Sequence, residues 1–98
     1  MSAPLEVIEA ARAAGLDDLG AVAAGASLCT LRGERLPAAK YHEGAVAALG
    51  EALRAERDRR AAPDPGTWGA QWAQLTESDD GWRAYIAGGR AALAAIGR

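Results

Sequence analysis

The chain has one histidine and one cysteine, its two most obvious candidates for chemistry. His42 lies in the run Lys40-Tyr41-His42-Glu43. A helical His–Glu pair can serve acid–base or metal chemistry. The helical zinc arrangement, however, sets two histidines four residues apart with a glutamate between them. Position 46 is Val46, and there is no second histidine. Neighbouring helical side chains also diverge by about 100°. Cys29 excludes an intramolecular disulfide and any multi-cysteine metal site. It falls in the C-terminal half of a predicted helix, where the dipole opposes a thiolate, so a buried and inert thiol is expected. No Ser-His-acid set, phosphate-cradling glycine loop or facing carboxylate pair stands out. The sequence therefore predicts a non-enzymatic protein with no cofactor and no metal.

Two other groups could act through contact. Trp68, Trp72, Trp82 and Tyr85 are large side chains in a chain with 26 alanines and no phenylalanine. Aromatics at helical spacing are expected to be core here. Trp68, next to the Pro63-Asp64-Pro65-Gly66 turn, is expected to be the exposed one, because a surface tryptophan is a favoured contact residue. Trp68 and Trp72 are thus candidate interaction residues, with Arg54, Arg57 and Arg60 of the basic run 54–60. Charge is uneven: residues 1–31 sum to −3, 32–60 to +2 and the remainder to −1. Segment 21–32 resembles the start of a helix-turn-helix through Ala21, Gly25, Ser27 and Leu31. That resemblance implies nucleic-acid binding, with Arg32, Arg35 and Lys40 touching phosphates, which gives affinity without sequence choice. Gly33 and Pro37 would cut the recognition helix short.

The elements that position these residues are helices. No stretch alternates with the period of a strand, so an all-α bundle of four to five helices without a sheet is predicted. The first helix runs over 3–14, capped by Ser2 and stopped by Gly15. The second starts after Asp17 or Asp18 and reaches position 32. The third spans 37–60, with a polar end leaving the body and Glu56 paired to Arg60. The second and third are expected at the centre. Thr67 caps a fourth helix to position 75, and Ser78 or Asp79 caps a fifth over 80–96. The turn at 61–66 separates a three-helix part from a Trp-rich helical hairpin within one domain, 1–98. Ala84, Gly88, Ala92 and Ala95 form a small strip that asks for a close partner helix. No repeat at a fixed period is apparent.

Alanine removes little area from water, so this core gains less per helix than usual. Self-association is one remedy. The longest charge-free run is too short for a membrane span, which needs roughly 20 apolar residues. The N-terminus lacks a signal-peptide pattern, so a cytoplasmic location is expected. The Ala/Gly/Arg bias points to a GC-rich bacterial or phage gene. The expected function is a small helical module acting through protein–protein contacts, a homodimer being one form. The alternative is a nucleic-acid-binding helical protein that uses segment 21–32 together with the basic stretch 54–60.

Overall fold

The computed structural model describes residues 4–23, 35–76 and 79–97. They form four helices: α1 Leu5–Ala23, α2 Arg35–Arg57, α3 Pro65–Leu75 and α4 Asp80–Ile96. No strand occurs among the described residues, as the missing period-2 pattern predicts. None of these helices is long and apolar enough to cross a membrane.

α1 runs unbroken through Gly15 and Asp17, where the sequence predicts a stop and a new cap. The reason is tertiary. A Cβ on Gly15 would lie 3.1 Å from Val46 Cγ2, so glycine here admits a neighbouring helix rather than ending its own. Among the described residues nothing lies within 4 Å of a Cβ built on Gly20. Ser2, Gly25, Cys29, Arg32 and most of the helix-turn-helix-like segment lie outside the described residues.

α2 begins two residues earlier than expected. Pro37 sits in the first turn, where a missing N–H costs nothing. α2 ends at Arg57 rather than position 60. Arg60 N donates to Ala55 O at 2.7 Å and Arg59 N donates to Glu56 O at 3.1 Å. That is a Schellman closure, with Arg59 at the left-handed position, φ 56°. Glycine normally fills that position, because a side chain there costs about 1–2 kcal/mol. Arg59→Gly should therefore raise stability by about 1 kcal/mol, read as a shift of the urea midpoint without a change in slope. The helix end stays on the body: Ala55 is buried, and Arg57 reaches Glu9 of α1 at 3.7 Å. Arg60 pairs with Asp58 at 3.2 Å, not with Glu56, because the chain has already left the helix.

Asp64, rather than Thr67, caps α3. Its carboxylate accepts from Thr67 N at 3.0 Å, and Pro65 opens the first turn. Asp79 caps α4, accepting from Trp82 N at 2.8 Å.

The centre is α2 against α4, the most extensive helix interface, with α1 on α2 and α3 on α4. The crossing is reciprocal. A Cβ on Gly44 would run into the Tyr85 carbonyl and lie 2.9 Å from its Cα. A Cβ on Gly88 would run into the Tyr41 carbonyl and lie 3.1 Å from its Cα. Each helix presents Tyr-x-x-Gly, and each glycine seats the other tyrosine's backbone. Tyr41/Tyr85, Gly44/Gly88, Ala48/Ala92 and Leu49/Leu93 are all 44 residues apart. The small strip of α4 thus finds its partner helix in the same chain.

The outer helices follow the same plan. Gly15 of α1 faces Val46 of α2, and Gly69 of α3 faces Arg90 of α4, whose Cγ would be 3.1 Å from an added Cβ. Val46 and Arg90 are again 44 apart, but Gly15 and Gly69 are 54 apart. The protein is two helical hairpins, α1–α2 and α3–α4, packed back to back about a pseudo-twofold axis. Two different offsets, set by unequal connections within the hairpins, hide the repeat from any fixed-period reading.

Candidate binding cleft

The pseudo-twofold relation gives each hairpin a seat between its two helices, and the two seats differ. In the α3–α4 hairpin the seat is full. Trp68 is 1% exposed, and its ring closes on Gly89, where any Cβ would collide with it. Its plane stacks on Tyr85 at 5.9 Å and 17°. Trp72 packs edge-on to Tyr85 at 5.0 Å and stacks on Trp82 at 6.0 Å. Tyr85 is 5% exposed beneath them. The expectation that Trp68 is the exposed tryptophan is thus overturned: α3 starts before it, at Pro65, and the first full turn points it at α4. Trp72 is half-buried in the same cluster. Sequence alone places Trp68 by its neighbouring turn, but the glycine that receives it is 21 residues away.

Burial, and after it the charges of Glu43 and Glu51, push the Tyr85 hydroxyl above its ordinary pKa of 10.0. The folded state then holds this proton more tightly than the unfolded chain does. The resulting stability is present in full below pH 10 and is lost as pH rises beyond it. Urea titrations between pH 9 and 11 should show unfolding free energy falling, with Tyr85→Phe flattening the fall.

In the α1–α2 hairpin the seat is open. Counting from the paired glycines, Ala14 stands where α3 has Trp68, and Asp18 where it has Trp72. Ala45 stands where α4 has Gly89. The two indoles are missing, and a cleft of about 440 Å³ takes their place, lined by α1, α2 and α4. Ala14 and Asp18 form one wall, Tyr41 and Ala45 the floor, and Ala91 and Ala95 the other wall. Tyr41, twin of the buried Tyr85, is 38% exposed. The volume lies in the range of small-molecule and side-chain pockets, and helix bundles form such sites between their helices.

His42 lines this cleft beside Tyr41, ring to ring edge-on at 5.6 Å. Glu43 points elsewhere, with Oε2 3.2 Å from Lys40 Nζ. The two neighbours therefore do not converge, as their 100° separation predicts. Among the described residues, no three of His, Cys, Asp and Glu come together as metal ligands would.

Of the basic candidates, Lys40 is engaged within the chain. Its Nζ pairs with Glu43 and lies 5.0 Å from the centroid of Trp82. Arg32 and the side chain of Arg35 lie outside the description. Arg54, Arg57 and Arg60 are exposed towards the other end of α2, away from Tyr41 and Ala45. The structure does not gather them with Trp68 and Trp72 into one site. The cleft itself, lined mostly by alanines with Tyr41, His42 and Asp18 as its polar groups, carried no signal that a motif search could find. Its only trace in the sequence is the shared Tyr-x-x-Gly spacing. No family model, curated protein or solved structure matches the chain.

Proposed function

We propose that the chain is a non-enzymatic helical module acting through protein–protein contacts made at the cleft between α1, α2 and α4. One observation carries this reading: a seat built like the filled one, with its tyrosine floor uncovered and its walls kept small by Ala14, Ala45 and Ala91. An apolar hollow of this kind in a chain short of bulky side chains gains most by taking a side chain from outside. A second copy of the chain is one source of such a side chain.

Photo-crosslinking tests this. A benzophenone side chain at position 91, exposed on the cleft wall, should give protein adducts in native cells. The same group at position 73, exposed on α3, should not. Self-adducts together with sedimentation as a dimer would identify the homodimer form. No adduct at either site, or equal adducts at both, contradicts the reading. The nucleic-acid alternative draws less support, because Lys40 is held by Glu43 and Trp82. A mobility shift at about 50 mM salt, where phosphate contacts are strongest, would carry it.

A further inference from the structure

We infer that the open seat receives a helix of a partner protein presenting one aromatic side chain and, one turn away, a lysine or arginine. This rests on the protein-contact reading above and names the chemistry of the partner.

The aromatic residue follows from the twin seat. There, Tyr85 on the floor is covered face-on by Trp68, and Trp72 leans on its edge. In the open seat Tyr41 offers the same floor, at the same register against the crossing glycine, with the His42 ring at its edge and no indole stacked on it. Replacing Trp68 by Ala14 leaves room for an indole or phenyl ring, in a mostly apolar space whose polar groups are those of Asp18, Tyr41 and His42. Offset-stacked and edge-on aromatic pairs are favoured beyond the area they bury.

The basic residue follows from Asp18. At the second twin position the chain does not carry a smaller apolar group; it carries an acid. Asp18 is exposed on the cleft wall beside Asp17, and neither has an ion-pair partner among the described residues. Arg12 is the only cation in residues 1–31, which sum to −3. Trp68 and Trp72 show that positions four apart on a helix fill neighbouring parts of such a seat. A partner helix with an aromatic at one of them and a cation at the other, in either direction, matches Ala14 and Asp18 together. His42, at the margin beside Tyr41, adds a hydrogen-bonding group for an indole N–H.

Isothermal titration of the full chain tests the inference. The probes are alanine-based helical peptides of about 16 residues, long enough to hold a helix in water. Two carry a tryptophan and a lysine four residues apart, one in each order. The expected result is saturable binding by at least one order. That peptide should weaken about tenfold when leucine replaces tryptophan, and should weaken with added salt through the lysine. Tyr41→Ala should weaken binding comparably. Ala14→Trp, which fills the seat from within, should abolish it. Should Ala14→Trp fail to fold, Tyr41→Ala decides alone, since its side chain is largely outside the core. Equal binding by leucine and tryptophan peptides overturns the aromatic requirement but leaves the docking cleft standing. Binding indifferent to salt and to glutamate in place of lysine overturns the role of Asp18. If neither order of the peptide binds, the inference falls, while cleft adducts in cells would still uphold the broader reading.

Discussion

Gly44→Ala and Gly88→Ala should each cost more than about 3 kcal/mol, a large share of the stability of a domain this size. The added methyl meets the backbone of the opposite helix, not a side chain that can rotate away. Overpacking against movable side chains already costs typically 1–3 kcal/mol. Here two helices must separate along the largest interface among the described helices. A domain of this size has only about 5–15 kcal/mol in total. Gly20→Ala is the internal control: nothing lies within 4 Å of its added Cβ, and α1 is helical there. Removing that glycine should stabilise by up to about 1 kcal/mol through helix propensity alone. Urea denaturation followed by circular dichroism checks all three. Equal small effects at positions 20, 44 and 88 would contradict the reciprocal crossing.

Trp68→Ala should cost about 3–5 kcal/mol, the range for deleting a buried large aromatic. It empties a seat shaped by Gly89 and floored by Tyr85, and alanine cannot regain the stacking. Trp68→Phe should cost much less. The indole Nε1 of Trp68 is buried with no hydrogen-bond partner among the described residues, and phenylalanine removes that unsatisfied group, worth about 1–3 kcal/mol. The contrast between the two substitutions, read from denaturation midpoints, separates packing from polarity. Were Trp68→Ala nearly neutral, the filled seat would not be what holds α3 to α4.

Helical content was legible from the sequence because alanine, capping acids and missing strand periodicity all act locally. Asp79 before α4 and Pro65 near the start of α3 obeyed those local rules. The small strip on α4 was legible as a request for a close helix. What failed had a non-local cause. Gly15 reads as a stop, and the passage of Val46 of α2 makes it a contact instead. Trp68 reads as a surface residue, and a glycine on another helix makes it the most deeply seated large side chain. The helix end at Arg57 rests on a left-handed arginine, which no propensity predicts. The cleft was the least legible feature, because it is defined by what Ala14 and Asp18 lack relative to positions 54 residues later. Only the packed hairpins set those positions side by side.

The thermal stability of Ala14→Trp tests the central claim most directly. If the cleft is an unoccupied copy of the Trp68 seat, the new indole should settle on Tyr41 and bury apolar area without displacing a neighbour. A gain of about 1 kcal/mol should then raise Tm by about 4–8 °C in a domain this small, with blue-shifted emission from the added ring. A lower Tm with emission characteristic of a water-exposed indole would contradict the claim that the two hairpins share one design.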